Sequence, residues 1–254
     1  MTLRADNLRV AIGGKIVCRE LNVAIRPGEC WGILGQNGTG KTTLLRTLAG
    51  LYLPQAGAVS LHDRVLQTYS RQDLARQLAV LLQADNGEFW GSVLEYVLLG
   101  RFPHRAALFG YGAEDEAIAL QTLVQMELAE LARRPLNTLS GGERQRAAIA
   151  QVLTQQARYY LLDEPLQHLD LRHQAQAMQI ISQIKEQGQA LLLVLHDTLW
   201  AQRCCDHLLL LFADGRVLQG NTHELLTRSY MEELYQCPLL ELEVEGGRGF
   251  VPGV

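Results

Sequence analysis

The sequence predicts an α/β fold with a mainly parallel core sheet, antiparallel strands at its N-terminal side and an inserted helical subdomain. Three observations carry that prediction. Apolar runs of strand length recur at "CWGIL" (30–34), "QLAVLLQ" (77–83), "ARYYLLDEP" (157–165) and "ALLLVLHD" (190–197); a strand apolar throughout is one buried on both faces. Segments of helical spacing alternate with these runs, the pattern of a parallel sheet covered by helices. Between Asn86 and Ala157, finally, strand patterns vanish and three amphipathic helical segments follow one another.

Taken in order, Leu3 to Val10 and Ile16 to Ile25 alternate apolar and polar residues, as half-buried antiparallel strands do. "CWGIL" runs straight into a glycine-rich loop, and "KTTLLRTLAGL" behind it has helical spacing closed by Gly50. Helices are expected in the insertion at Ser92 to Gly100, Glu114 to Ala132 and after Ser140. Further helices are expected at Leu171 to Gln187 and Thr198 to Cys204. "LLLLFADGRVLQG" reads as a hairpin turning at Asp214-Gly215. The tail from Asn221 to Val254 has room for one or two short helices and is too small for a domain of its own. The expected organisation is one domain over 1–254, with a core of 1–85 and 158–220, a helical subdomain of 86–157 and a tail of 221–254.

With 254 residues, 48% of them hydrophobic, the chain has ample material for a buried core. Its net charge of -4, with no basic run longer than Arg133-Arg134, argues against a nucleic-acid groove or adhesion to anionic lipid. The longest apolar stretches are far short of the roughly 20 residues of a spanning helix, so any membrane role needs a protein partner. The N-terminus lacks the apolar centre of a signal peptide. The five cysteines, Cys18, Cys30, Cys204, Cys205 and Cys237, form no Cys-x-x-Cys pair and read as reduced thiols of a cytoplasmic protein.

The chemistry begins at "GQNGTGKT" (35–42), which fits Gly, four residues, Gly-Lys-Thr between a strand and a helix. Such glycines let backbone amides close around phosphates; Lys41 can neutralise the β and γ phosphates, and the Thr42 hydroxyl can hold Mg²⁺. Asp163 ends a buried run, where an acid orders Mg²⁺, and Glu164 beside it is placed to polarise water as a general base. No Asn-Lys-x-Asp occurs, so the guanine-reading motif is absent and ATP is the expected nucleotide. "LSGGERQR" (139–146) fits a capping box from Ser140 to Glu143. Such a box does not require two glycines, each disfavoured by roughly 0.8 to 1 kcal/mol inside a helix.

The phosphate loop, Gln83 at a strand end, "LSGGERQR", "YYLLDEP" and His196 at another strand end occur in that order. Together they resemble the nucleotide-binding subunit of an ATP-binding-cassette (ABC) transporter, over almost the whole chain. The resemblance implies the phosphate-loop NTPase fold and a head-to-tail homodimer in which each ATP lies between one copy's phosphate loop and the other's Ser-Gly-Gly stretch. It implies a nucleotide-contacting set of Gly35, Asn37, Gly38, Thr39, Gly40, Lys41, Thr42 and Thr43, joined by Ser140, Gly141, Gly142 and Asp170. Thr42, Gln83 and Asp163 would hold Mg²⁺, Gln83 would touch the attacking water, and His196 would hold the γ-phosphate. The resemblance also implies transmembrane permease subunits, a substrate-binding protein reached indirectly, no nucleic acid, and a place on the cytoplasmic face of the inner membrane.

Two positions depart from the family pattern: Ile12 stands where an aromatic ring usually stacks on adenine, and Gln167 where a serine or other small residue is common. "GSVLEYVLLGRFPH" (91–104) is similar to a segment of the ATPases of iron-siderophore, haem and cobalamin importers. An exporter or energy-coupling-factor ATPase shares every other motif. A soluble cassette ATPase is the remaining alternative, without the paired cassettes, coiled coils or zinc sites usual there.

Overall fold

The computed structural model describes residues 2–82, 89–105, 110–244 and 247–253, which form two compact units: residues 1–68 with 185–254, and residues 69–184. Gln83 lies outside the described residues.

The first unit opens with β1 (Leu3–Ile12), which alternates buried and exposed residues as read from sequence. The expected second strand is two pieces, β2 (Lys15–Cys18) and β3 (Val23–Ile25), both antiparallel to β1. Next comes β4 (Cys30–Leu34), all five residues buried, followed by the glycine-rich loop and α1 (Lys41–Leu48). Leu44, Leu45 and Leu48 of α1 are at most 1% exposed. Each such burial stabilises by about 1.5–3 kcal/mol, so the helix that follows the loop is firmly seated. Two further strands, β5 (Ala56–Leu61) and β6 (Arg64–Val65), extend the antiparallel sheet. Sequence reading missed both, because "AGAVSL" is short and half exposed.

The second unit holds α2 (Arg71–Gln77), β7 (Leu78–Leu81), α3 (Val93–Leu98), α4 (Ala113–Gln125), α5 (Gly141–Thr154), β8 (Tyr159–Asp163) and, as far as Ile184, α6 (Leu171–Glu186). β7 and β8 pair in parallel, Leu81 beside Leu162. The three expected helices of the insertion are α3, α4 and α5. They pack through Val93, Val97, Leu123, Met126, Ala147 and Ala150, all fully buried. α3 starts in a capping box from Ser92 to Glu95 and hands over to a 3₁₀ turn through His104.

That turn seals the end of α5. The guanidinium of Arg101, 7% exposed, donates to the Thr154 carbonyl (3.2 Å), to Gln156 Oε1 (3.0 Å) and to Asp115 Oδ1 (2.8 Å); the His104 ring bonds the Gln155 carbonyl at 2.8 Å. Cationic groups at a helix C-terminus satisfy orphan carbonyls and oppose the dipole. Arg101, hydrogen-bonded to Asp115, holds that carboxyl below the usual carboxylate range. Two of the residues that make "GRFPH" distinctive are therefore internal fasteners, whereas Phe102 between them is 62% exposed. Gly100 is set by close approach: a Cβ there would lie 2.1 Å from the Gln151 carbonyl oxygen. Gly100→Ala is expected to cost about 2–3 kcal/mol as overpacking, read as a lower melting temperature; an unchanged melting curve would mean that the turn yields freely.

The chain then returns to the first unit. β9 (Ala190–Val194) lies parallel to β4, as does β10 (His207–Leu211) on its other side. Between β9 and β10 runs α7 (Thr198–Cys204), capped by Asp197. β11 (Val217–Asn221) closes the expected hairpin beyond Asp214-Gly215. The tail contains α8 (Thr222–Leu225) and α9 (Arg228–Tyr235), as expected, and then a hairpin of β12 (Leu239–Val244) and β13 (Gly247–Pro252) that was not. All five cysteines are free thiols; Cys30 and Cys205 are buried with their sulfurs 3.9 Å apart. Among the described residues no helix is long and apolar enough to cross a membrane.

Candidate nucleotide-binding and catalytic residues

In the first unit the phosphate-loop residues form one tight turn between β4 and α1. Gly40 has φ 103°, a conformation open to glycine at little cost. A Cβ on Gly40 would lie 2.6 Å from Val17 Cγ1, and one on Gly35 would lie 2.5 Å from the Leu211 carbonyl. The spacing of glycines thus matches what the backbone needs. Thr39 Oγ1 donates to the Gln36 carbonyl at 2.9 Å and braces the turn. Lys41, 5% exposed, folds back over the loop, its Nζ donating to the carbonyls of Gly35 (2.9 Å) and Gln36 (3.1 Å). Asn37 and Gly38 stand exposed at the tip, while Thr42 and Thr43 open α1 half-buried.

Lys15, which sequence reading passed over, donates to the Gly38 carbonyl at 2.5 Å and brings a second cation to the loop. Its signal was the "GGK" of the β1–β2 turn, too short to interpret alone. His196 is exposed just beyond β9. β9 and β4 run in parallel with Val194 beside Ile33, and the Leu195 amide donates to Ile33 at 3.1 Å, so His196 and the phosphate loop leave the sheet from the same edge. Ligands of open parallel sheets bind at this carboxyl end. Ile12 is half exposed beside an open cavity of about 530 Å³ whose lining, Arg9, Ala11, Ile12, Gly13, Gly14, Ile16, Leu53 and Gln55, contains no aromatic ring.

In the second unit β8 ends on Asp163, 1% exposed, and Glu164 follows at φ 49°. A left-handed non-glycine residue is uncommon and persists where its surroundings over-determine it. Ser140 is the N-cap of α5: its Oγ accepts from the Glu143 amide at 3.3 Å, and Glu143 Oε2 accepts from the Ser140 amide at 2.8 Å. The Ser140 amide and hydroxyl hold the Glu143 carboxyl below its usual range, which keeps the box ionised. The capping box is therefore real, and it uses the amides of residues 140 and 143 rather than those of the two glycines. A Cβ on Gly142 would sit a tight 3.1 Å from the His168 carbonyl, but one on Gly141 would meet only ordinary contacts at 3.7–3.8 Å. Packing inside the chain explains one glycine of the pair. Asp170 is exposed; the His173 backbone amide and ring, both 2.9 Å from its Oδ1, hold its carboxyl below the usual range.

Residues 18–167 match the family model described as ABC transporter. The chain is 34% identical over 236 residues to the iron(3+)-hydroxamate import ATP-binding protein of Bacillus subtilis, covering 92% of this chain and 88% of that protein. It is 36% identical over 253 residues to the ferric enterobactin transport ATP-binding protein of Escherichia coli, covering 98% and 93%. Among solved structures, a metal-chelate type ABC transporter in an inward-facing conformation superposes with a TM-score of 0.85 at 26% identity, over all of this chain and 98% of that one. A dimeric bacterial ABC transporter cassette does so with a TM-score of 0.77 at 28% identity, over 87% and 98%. The sheet topology, the phosphate loop and these likenesses agree: the chain belongs to the ABC transporter family, as one of its ATP-binding, ATP-hydrolysing subunits.

Proposed function

We propose that the chain powers uptake of an iron chelate, siderophore or haem, or of cobalamin, as a pair of copies docked on a permease at the cytoplasmic face of the inner membrane. The observation that carries this reading is the likeness, over nine-tenths or more of this chain, to an iron(3+)-hydroxamate import and a ferric enterobactin transport ATP-binding protein. In this reading residues 1–85 and 158–220 bind nucleotide, 86–157 carry Ser140 and "GSVLEYVLLGRFPH" (91–104), part of which faces the permease, and 221–254 form a tail. A substrate-binding protein delivers cargo on the far side of the membrane, and nucleic acid plays no part.

Each ATP lies against Gly35, Asn37, Gly38, Thr39, Gly40, Lys41, Thr42 and Thr43 of one copy and is closed over by Ser140, Gly141 and Gly142 of the other. A glycine that its own chain does not require, Gly141, suits close approach by such an outside group. Its amide and that of Gly142, at the positive end of α5, are donors for a γ-phosphate. Lys41 and the partner's Ser140 offset the charge that develops there. Glu164 orients and deprotonates the attacking water, His196 steadies the γ-phosphate, Gln83 meets the water from the permease side, and Asp170 crosses between copies. The Thr42 hydroxyl, the buried Asp163 carboxylate and the Gln83 amide are hard oxygen donors of the kind Mg²⁺ takes. Bound there, Mg²⁺ would neutralise part of the negative charge of the phosphates.

With Ile12 and aliphatic neighbours in place of a ring, the base gains no stacking, which elsewhere contributes roughly 1–3 kcal/mol per base. ATP and GTP are expected to bind within about five-fold of each other, a difference under about 1 kcal/mol. Fluorescence competition checks this, and a strong preference for ATP would refute it. The function itself is tested by affinity capture of the tagged chain from detergent-solubilised native membranes. A many-spanning permease of the siderophore, haem or cobalamin type supports the proposal. An exporter, an energy-coupling-factor membrane protein or ribosomes would contradict it.

A further inference from the structure

Within residues 69–184 the start of α5 and the turn after β8 are bolted together. Gln145, on the first turn and a half of α5 and 9% exposed, donates through Nε2 to the Pro165 carbonyl at 3.0 Å and, more weakly, to the Glu164 carbonyl at 3.4 Å. The Gln167 amide closes the same turn onto the Glu164 carbonyl at 3.1 Å. Glu164 is left-handed at φ 49°, and these donors hold it in a conformation that a side-chain-bearing residue leaves when it can. The segment then crosses the N-terminus of α5, where the His168 carbonyl is 3.1 Å from the point a Gly142 Cβ would occupy. The Ser140–Gly142 backbone is thus packed against the segment that carries Glu164.

We propose that Gln145 is a positioning residue for hydrolysis: it fixes the Glu164 backbone and so couples the two nucleotide sites of a dimer. The inference rests on the reading above, in which Ser140–Gly142 meet the partner's nucleotide while Glu164 serves its own. One chain then contributes to both sites through a single hydrogen-bonded joint. Contact with phosphate at the first site sets the carboxylate at the second. A side chain that merely packs would move stability and leave the catalytic step alone.

The test compares variants of the full-length chain. Gln145→Glu keeps length and shape but turns an acceptor towards two carbonyls, and Gln145→Lys restores a donor. Gln145→Met, which has neither donor nor charge, stands in should Gln145→Glu fail to fold. For Gln145→Glu or Gln145→Met, kcat is expected to fall about 10- to 100-fold, as small misplacements of a catalytic group do. KM and the affinity for a fluorescent ATP analogue stay within about two-fold, the pattern of an interaction needed only in the transition state. Gln145→Lys recovers part of the loss. Wild-type kcat in the donor-less variants, alongside an inactive Glu164→Gln, would overturn the coupling. So would a loss of kcat matched by equal losses of affinity and melting temperature. Glu164→Gln at wild-type turnover would instead remove the reading of Glu164 on which the inference stands.

Discussion

Glu164→Gln is expected to bind ATP normally, to accumulate as a closed dimer and to lose about 10²- to 10⁴-fold in turnover, the usual contribution of a general base. The amide keeps the volume and hydrogen-bonding reach of the carboxylate but cannot accept the proton of water. The backbone that places it, left-handed at φ 49° behind a fully buried strand, is set by β8 and the turn that follows rather than by its charge. Geometry should therefore survive the substitution. Binding energy that normally drives closure and is then released by hydrolysis stays in the closed state, so the population shifts to the dimer. Size-exclusion chromatography with Mg·ATP and steady-state phosphate release check both halves. Wild-type turnover would remove Glu164 from its role.

Lys41→Ala should fail earlier, at binding. The ammonium is almost fully buried and held over the loop by the Gly35 and Gln36 carbonyls, so it is presented to a phosphate without further ordering. Hydrogen bonds to charged groups contribute about 1.5–3 kcal/mol, or roughly 10- to 10²-fold in affinity. The alanine chain also leaves two carbonyls without their donor, which loosens the loop. Calorimetric titration with ATP should show that loss with a melting temperature close to wild type. Unchanged affinity would place the phosphates elsewhere.

How far the molecule was legible from sequence depended on how local each feature is. The phosphate loop was readable because its glycines answer demands of the adjacent backbone, Gly40 against Val17 and Gly35 against Leu211, at fixed spacing. The buried strands β4, β8 and β9 announced themselves by being apolar throughout. β5, β6 and the β12–β13 hairpin did not, since half-exposed strands of ordinary composition are defined by partners far away in sequence. The "GRFPH" segment read as a family mark, yet Arg101 and His104 prove to fasten the end of α5, a contact between residues some 50 positions apart. Lys15 and Gln145 were invisible for the same reason: each acts through a backbone carbonyl that sequence spacing does not bring near.

The most direct measurement mixes two inactive variants. Ser140→Asp retains an excellent N-cap for α5 while setting a negative charge against the partner's γ-phosphate, and Lys41→Ala disables the phosphate loop. If each ATP lies between two copies, a mixed pair has one intact site, formed by Lys41 of the first chain and Ser140 of the second. Random pairing in a two-fold dimer then restores at most about a quarter of wild-type turnover, and coupling to the disabled site through Gln145 holds it below that ceiling. A mixture no more active than its better component would contradict the shared site, and with it the account of how this ATPase works.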